Sequence, residues 1–468
     1  MDPQRLKRLA STLIAAALVL PGPASAAPDA PEDPEATRLL AELVRLDTSN
    51  PPGRERAAAQ LLANWCRAEG FVTEVIETAP ERACLVARLP GSGRQRPLML
   101  LSHLDVVPAE AGRWRHPPFG GVVREGRIWG RGTLDMKGLT IMEFLAMARL
   151  KRAGRMPDRD LLLVAVADEE AGGEHGIRRL LDLRPDLRQV SECLNEGGFG
   201  LVAPDGKPLV GLSVAERGTY WVRVTARGKP GHGSVDRPDS ATRRLLRALD
   251  RLERTPRPLG LVPEADALVG ALAPTLAWPA SWVLQMLRWP GMAGLLGPLV
   301  IARQPALAAA LGPTVNPTVL EAGIKVNVVP GEASALVDMR TMPGQGTAEA
   351  RAWLEQALGD DALKISVLQD RPGTRSPASG PLYEGLAASV RAHLPEARIT
   401  PMLTPAGTTD SASLRPLGIA CVGLIPVIAA QEQLESIHGD DEWLGVDQLA
   451  SGTRIVADAV ARASGLTP

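Results

Sequence analysis

The strongest constraint on the fold is the run Leu161-Leu162-Leu163-Val164-Ala165-Val166-Ala167, seven apolar residues without a polar interruption. A run of strand length with no alternation suits a strand buried on both faces, which calls for a largely parallel sheet with helices packed on each side. It ends in Asp168-Glu169-Glu170. Adjacent carboxylates raise one another's pKa, so this strand end needs positive charge beside it. An acidic helix N-terminus would account for one such triplet, because carboxylates favour that end of the macrodipole.

Other strand-like runs also end in metal-ligand residue types. Pro97–Ser102 delivers His103-Leu104-Asp105. Alternate side chains of an extended segment share a face, so His103 and Asp105 can enter one site, with Asp105 placed to accept the second imidazole N–H. Val190–Leu194 leads to Asn195-Glu196-Gly197-Gly198. Asp135 stands just before a long helix expected over Lys137–Ala153, either as an N-cap or as a carboxylate held rigidly enough to bridge two cations. Ile419–Leu424 reads as a further strand, and His438 lies in Ser436–Glu442, where the last helical region opens.

In an open α/β sheet, sites form outside the carboxyl ends of the strands. The tally there is His103, Asp135, Glu169, Glu170, Glu196 and His438. Nitrogen and carboxylate donors without thiolate suit zinc, with manganese or cobalt as alternatives. Two divalent ions are balanced by Asp135, Glu170, Glu196 and one hydroxide, which leaves Glu169 for proton transfer and avoids a large desolvation penalty.

These motifs have a collective likeness. Ser-His-Leu-Asp-Val-Val (102–107), Gly-Arg-Gly-Thr-Leu-Asp-Met-Lys (130–137), Asp-Glu-Glu (168–170), Asn-Glu-Gly-Gly (195–198), Gly-His-Gly-Ser (231–234) and Ile-His-Gly (437–439) resemble, in order, the co-catalytic dizinc amidohydrolases. That superfamily includes glutamate carboxypeptidase, aminoacylase, carboxypeptidase S and succinyl-diaminopimelate desuccinylase. The resemblance implies two zinc ions bridged by Asp135, with His103 and Glu196 completing one and Glu170 and His438 the other. It implies Glu169 as general base, Asp105 orienting His103, and His232 as an oxyanion donor reaching a partner subunit. Asn327 and Arg340 match positions that hold the substrate carboxylate or the tetrahedral intermediate, and Gly407 and Thr408 begin a loop like its substrate-binding loop.

The 468 residues give room for two globular domains. We expect a catalytic domain of residues 27–218 and 372–468, a mixed, mostly parallel sheet flanked by helices. An α+β lid of residues 219–371 would interrupt it and pair two subunits as a homodimer. Residues 256–313 form a long, Pro-punctuated apolar stretch with Trp278, Trp282 and Trp289. It reads as an insert in the lid that packs, enlarges a dimer face, touches membrane or lines an acyl pocket.

Residues 1–26 read as a signal peptide. Arg5, Lys7 and Arg8 precede apolar Leu9–Leu20, and Ala24-Ser25-Ala26 offers a cleavage pattern. Export to the periplasm or beyond follows, with a retained membrane anchor as the alternative. A net charge of -1 and the lack of a basic tract exclude nucleic acid as an expected partner. Four widely spaced cysteines make no disulfide scaffold, and Cys193 and Cys421 read as buried small hydrophobes. The expected function is zinc-dependent cleavage of an amide bond next to a free carboxylate, of carboxypeptidase or dipeptidase type. The alternative is an N-acyl-amino-acid amidohydrolase, and more remote ones are a metal-free binding protein on the same fold and a membrane-associated interaction protein.

Overall fold

The computed structural model describes residues 32–303, 307–404 and 407–467, so the segment read as an export signal lies outside it. The described chain opens with α1 (Pro34–Val44), α2 (Arg56–Ala68), β1 (Val72–Ala79), β2 (Arg82–Leu89) and β3 (Leu98–His103). A ribbon of β4 (Val122–Arg124) and β5 (Arg127–Trp129) precedes α3 (Lys137–Arg152), β6 (Leu161–Val166), α4 (Arg179–Leu183), β7 (Glu192–Asn195), β8 (Gly200–Val202) and β9 (Pro208–Glu216). The lid follows with β10 (Gly218–Arg227), β11 (Gly231–His232) and α5 (Ala241–Arg254), then the insert helices α6 (Pro263–Leu272), α7 (Ala280–Leu287), α8 (Met292–Arg303) and α9 (Ala308–Leu311). It closes with β12 (Thr314–Ala322), β13 (Val328–Val329), β14 (Glu332–Thr341), α10 (Thr347–Leu358) and β15 (Lys364–Arg371). The chain then returns through β16 (Thr374–Arg375), α11 (Pro381–His393), β17 (Arg398–Leu403), α12 (Ser411–Leu414), β18 (Ala420–Gly423), α13 (Gln431–Ser436), β19 (Trp443–Gly445) and α14 (Val446–Ala463).

The central sheet runs β1-β2-β6-β3-β7-β18-β9-β16, with β8 and β17 also paired to β9. Its middle, β6-β3-β7-β18, is parallel. Alternate residues of the apolar runs go to opposite cores. Leu98, Leu100, Leu161 and Leu163 pack with α1, α2, α3, α11 and α14. Met99, Leu101, Leu162 and Val164 pack with Ile177, Leu180, Leu187 and Leu414 on the other face. Double-sided burial is why these strands carry no polar alternation. The lid sheet, β12-β14-β10-β15, is covered on one face by α5 and α10. The insert helices close around their own apolar cluster. All four cysteines are buried and unbridged.

Three local expectations are revised. The sequence places a helix after Ala171-Gly172-Gly173, ending near Leu183; the structure has a 3-10 turn at Glu169–Ala171, a kinked helical segment at Glu174–Arg178 and then α4, which does end at Leu183. Gly172 and Gly173 lie at φ of 103° and 71°, which breaks the helical path. In the lid the sequence pattern predicts a strand over Val319–Val329, but β12 starts earlier, at Thr314, and stops at Ala322, where Gly323 turns the chain at φ 70°. The last helix begins at Val446, beyond the 436–442 segment, because His438 and Asp441 adopt left-handed backbone and β19 intervenes.

Candidate active site

Neighbouring strands β6, β3 and β7 end side by side, so their carboxyl ends bring Asp168-Glu169-Glu170, His103 and Glu196 to one place. Asp135 joins them from the turn before α3. It makes no capping bond to that helix, which leaves its carboxylate free to face the cluster. His438 enters from the loop between α13 and β19.

The carboxylate of Asp135 divides between the two histidines. Its Oδ1 lies 3.2 Å from His103 Nε2, and its Oδ2 lies 3.3 Å from His438 Nε2. His103 Nε2 is also 3.6 Å from Glu196 Oε1. His438 Nε2 is 3.2 Å from Glu170. Glu169, Glu196 and His103 have ligand atoms within 4.8 Å of one another, as do His103, Asp135 and Glu170. At the other edge of its ring, His103 Nδ1 lies 2.9 Å from the Asp105 carbonyl and 3.5 Å from the Asp105 carboxylate. The main-chain oxygen is thus the closer acceptor for the Nδ1 proton, and Nε2 is left to face Asp135 and Glu196.

Asp105 has a second task. Its Oδ1 accepts the Glu169 N–H and its Oδ2 the Glu170 N–H, both at 3.1 Å, so one buried carboxylate fixes the backbone of both adjacent acids. Around it lies a frame the sequence reading missed. Asn50 Nδ2 donates to Asp105 Oδ2 at 2.8 Å and to Asp168 Oδ1 at 3.1 Å. Arg82 pairs with Asp168 and donates to Asn50 Oδ1 at 2.5 Å. A side chain on Gly53 would run into the Arg82 guanidinium, and Gly53 sits at φ 79°. Glu442 frames the opposite side. Its Oε1 accepts the N–H groups of Leu134 and Asp135 at 2.8 and 3.1 Å, and its Oε2 accepts from Arg131 and Gly132 at 2.8 and 3.0 Å.

The electrostatics show a cluster short of positive charge. Burial pushes Glu169 well above the usual carboxylate range, with the charge of Glu196 adding to it. Glu196 is raised in the same way by burial and by Asp135. Burial alone would raise Asp135, yet its bonds to His103 and His438 hold it below the usual range. Burial would lower His103, but Asp105 and Asp135 hold its imidazolium well above the ordinary value. His438 is raised to about 10 by Asp135 and Glu170. This donor set fits divalent cations: carboxylates and imidazoles converge, and cations would take the place of the protons that now relieve their repulsion.

The residues expected to touch substrate are divided. Thr408 lines a cavity of about 480 Å³ together with Glu169, Thr409 and Asp410. Gly407 adjoins it in the same half-buried loop. His232, Asn327 and Arg340 do not line that cavity. His232 is exposed on the β11–β13 ribbon, where its Nδ1 lies 2.8 Å from Ser234 Oγ. Asn327 holds the same ribbon by accepting the Gly233 N–H through its carbonyl at 2.9 Å. Arg340 is bound within the lid to Asp338 at 2.9 and 3.1 Å and to Thr219 at 3.2 Å.

This arrangement can hold cations, place a proton-carrying carboxylate beside them and open onto a cavity. Comparison with known proteins agrees with that chemistry. The chain is 29% identical over 381 residues to the human N-fatty-acyl-amino acid synthase/hydrolase PM20D1, spanning 79% of this chain and 74% of that one. It is 28% identical over 429 residues to mouse aminoacylase-1, spanning 89% and 93% of the two chains. Its fold matches that of an M20 family metallo-carboxypeptidase from Sulfolobus solfataricus with a TM-score of 0.68 at 17% identity, over 93% of this chain and 100% of that one. Residues 99–462 match the family described as Peptidase family M20/M25/M40, and with its paired histidines and carboxylates at the sheet edge the chain belongs to that family of metal-dependent hydrolases.

Proposed function

We propose that this enzyme hydrolyses N-acyl amino acids, at a site that holds two divalent cations, zinc foremost. The observation that carries the substrate class is the cavity beside Glu169. Apolar Leu181, Pro416 and Leu417 line it together with Arg178 and Arg371. Neither arginine has an ion-pair partner among the described residues. An acyl group needs the first kind of wall and a free carboxylate needs the second. The two sequence relatives named for acyl amino acids support this over a peptide substrate, since the structural likeness at 17% identity carries only the fold. Arg371 is therefore assigned the carboxylate, in preference to Arg340, which Asp338 holds on the lid.

Asp135 would lie between the ions, with His103 and Glu196 completing one set and Glu170 and His438 the other. When bound, such ions lower the pKa of the attacking water toward about 7 and polarise the scissile carbonyl. Glu169 does the proton work. Its carboxylate takes a proton from the water as the C–O bond forms, and returns it to the amide nitrogen as the C–N bond breaks. Asp105 keeps that carboxylate in place through the Glu169 N–H. A carboxylic acid and a free amino acid leave.

The lid offers a face for the proposed dimer. Val319 and Leu320 on edge strand β12 are exposed, as are Ile324 and Val326 in the following turn, beside the ribbon that carries His232. A partner subunit pairing there would cover these side chains and receive His232 as an oxyanion donor. Export rests on the N-terminal pattern, and N-terminal sequencing of the extracytoplasmic form should begin at Ala27.

A screen of N-acyl amino acids, their C-terminal amides and dipeptides tests the substrate reading. The free acids should be preferred over the amides, and Arg371→Met should raise KM for the acids about tenfold or more while leaving the amides unchanged. Preference for dipeptides would return the function to the carboxypeptidase type. Equal effects on acids and amides would remove Arg371 from carboxylate recognition.

A further inference from the structure

The insert carries a surface that the reaction does not use. Its helices bury Val269, Leu284, Leu287, Leu296, Val300 and Leu311 against one another, a core that contains no tryptophan. Trp278, Trp282 and Trp289 are left outside at 77%, 50% and 58% exposure, and Leu295 on α8 is exposed too. Trp282 lies in α7, with Trp278 just before that short helix and Trp289 just after it, so the three exposed indoles bracket one element. From Ala267 to Leu320 there is no Asp or Glu, and the charged side chains are Arg288 and Arg303 alone. Arg288 is already paired with Asp266 at 2.8 Å.

We propose that this face seats the enzyme on a lipid bilayer. Indole rings settle at the membrane–water interface, with the apolar body among the acyl chains and the N–H toward the headgroups. An acid-free stretch removes the repulsion that an anionic headgroup layer would exert. A protein partner would need a polar, hydrogen-bonded rim, yet apart from the paired Arg288 the outward side of α7 offers only Ser281 and Gln285. No helix among the described residues is long and apolar enough to cross a membrane, so the insert lies on the surface.

The insert is joined to the catalytic domain. Helix α6 packs on β17 and β9 of the catalytic sheet, and Val262 sits with Ala215, Met342 and Leu403. Glu264 pairs with Arg375 at 2.8 Å. The preceding residue, Thr374, lines the cavity that contains Glu169. The insert is therefore tied, through Glu264 and Arg375, to the segment that lines the cavity. The docking itself does not depend on the substrate assignment above.

The test is vesicle flotation with the chain beginning at Ala27, whose described fold starts at Glu32. Wild-type protein should float with vesicles of phosphatidylcholine and phosphatidylglycerol, and their brominated forms should quench its tryptophan emission. The triple variant Trp278→Ser/Trp282→Ser/Trp289→Ser should bind at least about tenfold more weakly, with its thermal midpoint kept and the quenching lost. Wild-type protein that neither floats nor is quenched overturns the proposal without recourse to the variant. Equal flotation of the two proteins overturns it as well. Loss of a dimer in the triple variant, with no vesicle binding by wild type, would assign the face to a second copy of the chain.

Discussion

The edge of the catalytic sheet and the ribbon of the lid both carry residues suited to catalysis, but they are held in opposite ways. At the sheet edge each reactive group is fixed by others far away in sequence. Asp105 takes the N–H groups of Glu169 and Glu170, Asn50 and Arg82 brace Asp105 and Asp168, and Glu442 grips the turn of Asp135. On the lid, His232 is exposed and its polar partner is Ser234, two residues along. Preorganised groups have met their ordering cost during folding, whereas groups like His232 must meet it when lid, substrate or partner arrives. The first region is braced within one chain, whereas the second has little to hold it.

The sharpest way to break this contrast is to remove the proton carrier and leave its frame. Glu169→Gln should lower kcat by about four orders of magnitude while two metal ions per chain remain, as elemental analysis would show. Loss of metal with unchanged turnover per bound ion would make Glu169 a ligand and assign the proton elsewhere. Next in size is damage to the frame itself. Glu442→Gln turns one of two acceptor oxygens into a donor facing main-chain N–H groups or Arg131, which should cost about 3 kcal/mol in urea unfolding and weaken metal binding about tenfold or more. Unchanged metal affinity would show that the turn of Asp135 holds its shape without Glu442.

The same contrast explains what the sequence could disclose. His103, the acids after β6 and Glu196 were legible because unbroken apolar runs announce buried parallel strands, and sites lie at their carboxyl ends. Asn50, Arg82 and Glu442 gave no such sign. Their partners lie 118, 86 and 307 residues away along the chain, in contacts that no local period encodes. The helix after Gly173 was legible as far as its end at Leu183, but its kink at Gly176 was not, because nothing local in Glu174–Arg178 encodes it. Arg371 was passed over since nothing in Gln369-Asp370-Arg371 separates it from any strand end. Its value appears only where β15 meets the loop of Thr408.

A smaller effect is expected on the lid. His232→Ala should reduce kcat about a hundredfold, with metal content and thermal midpoint unchanged, because an exposed side chain supports neither. Mixed with Glu169→Gln subunits, it should recover up to about a quarter of wild-type activity. Half the dimers would be mixed, each with one intact site of two. No recovery after demonstrated subunit exchange would mean that His232 serves its own chain, and that the lid closes without a partner.

The smallest effect comes from the one acid of the frame without a hydrogen bond. Glu55 is fully buried, neither carboxylate oxygen has a hydrogen-bond partner, and Arg82 is 3.8 Å away. Burial and the nearby charge of Asp105 raise its carboxyl to about 7 from 4.5. The folded protein therefore holds a proton here that the unfolded chain releases earlier. That contribution to stability is full below pH about 4.5 and is lost as the pH rises through about 7. Glu55→Gln does not titrate and keeps the neutral form at every pH. Its stability relative to wild type should rise by about 2 kcal/mol between pH 5 and pH 8 and stay level above that. Urea unfolding at the two pH values, at fixed metal concentration, measures the difference. If it does not change with pH, Glu55 is ionised throughout and Arg82 neutralises it across the gap. The frame would then be charge-paired at every acid, and the contrast with the lid more complete than the hydrogen bonds alone indicate.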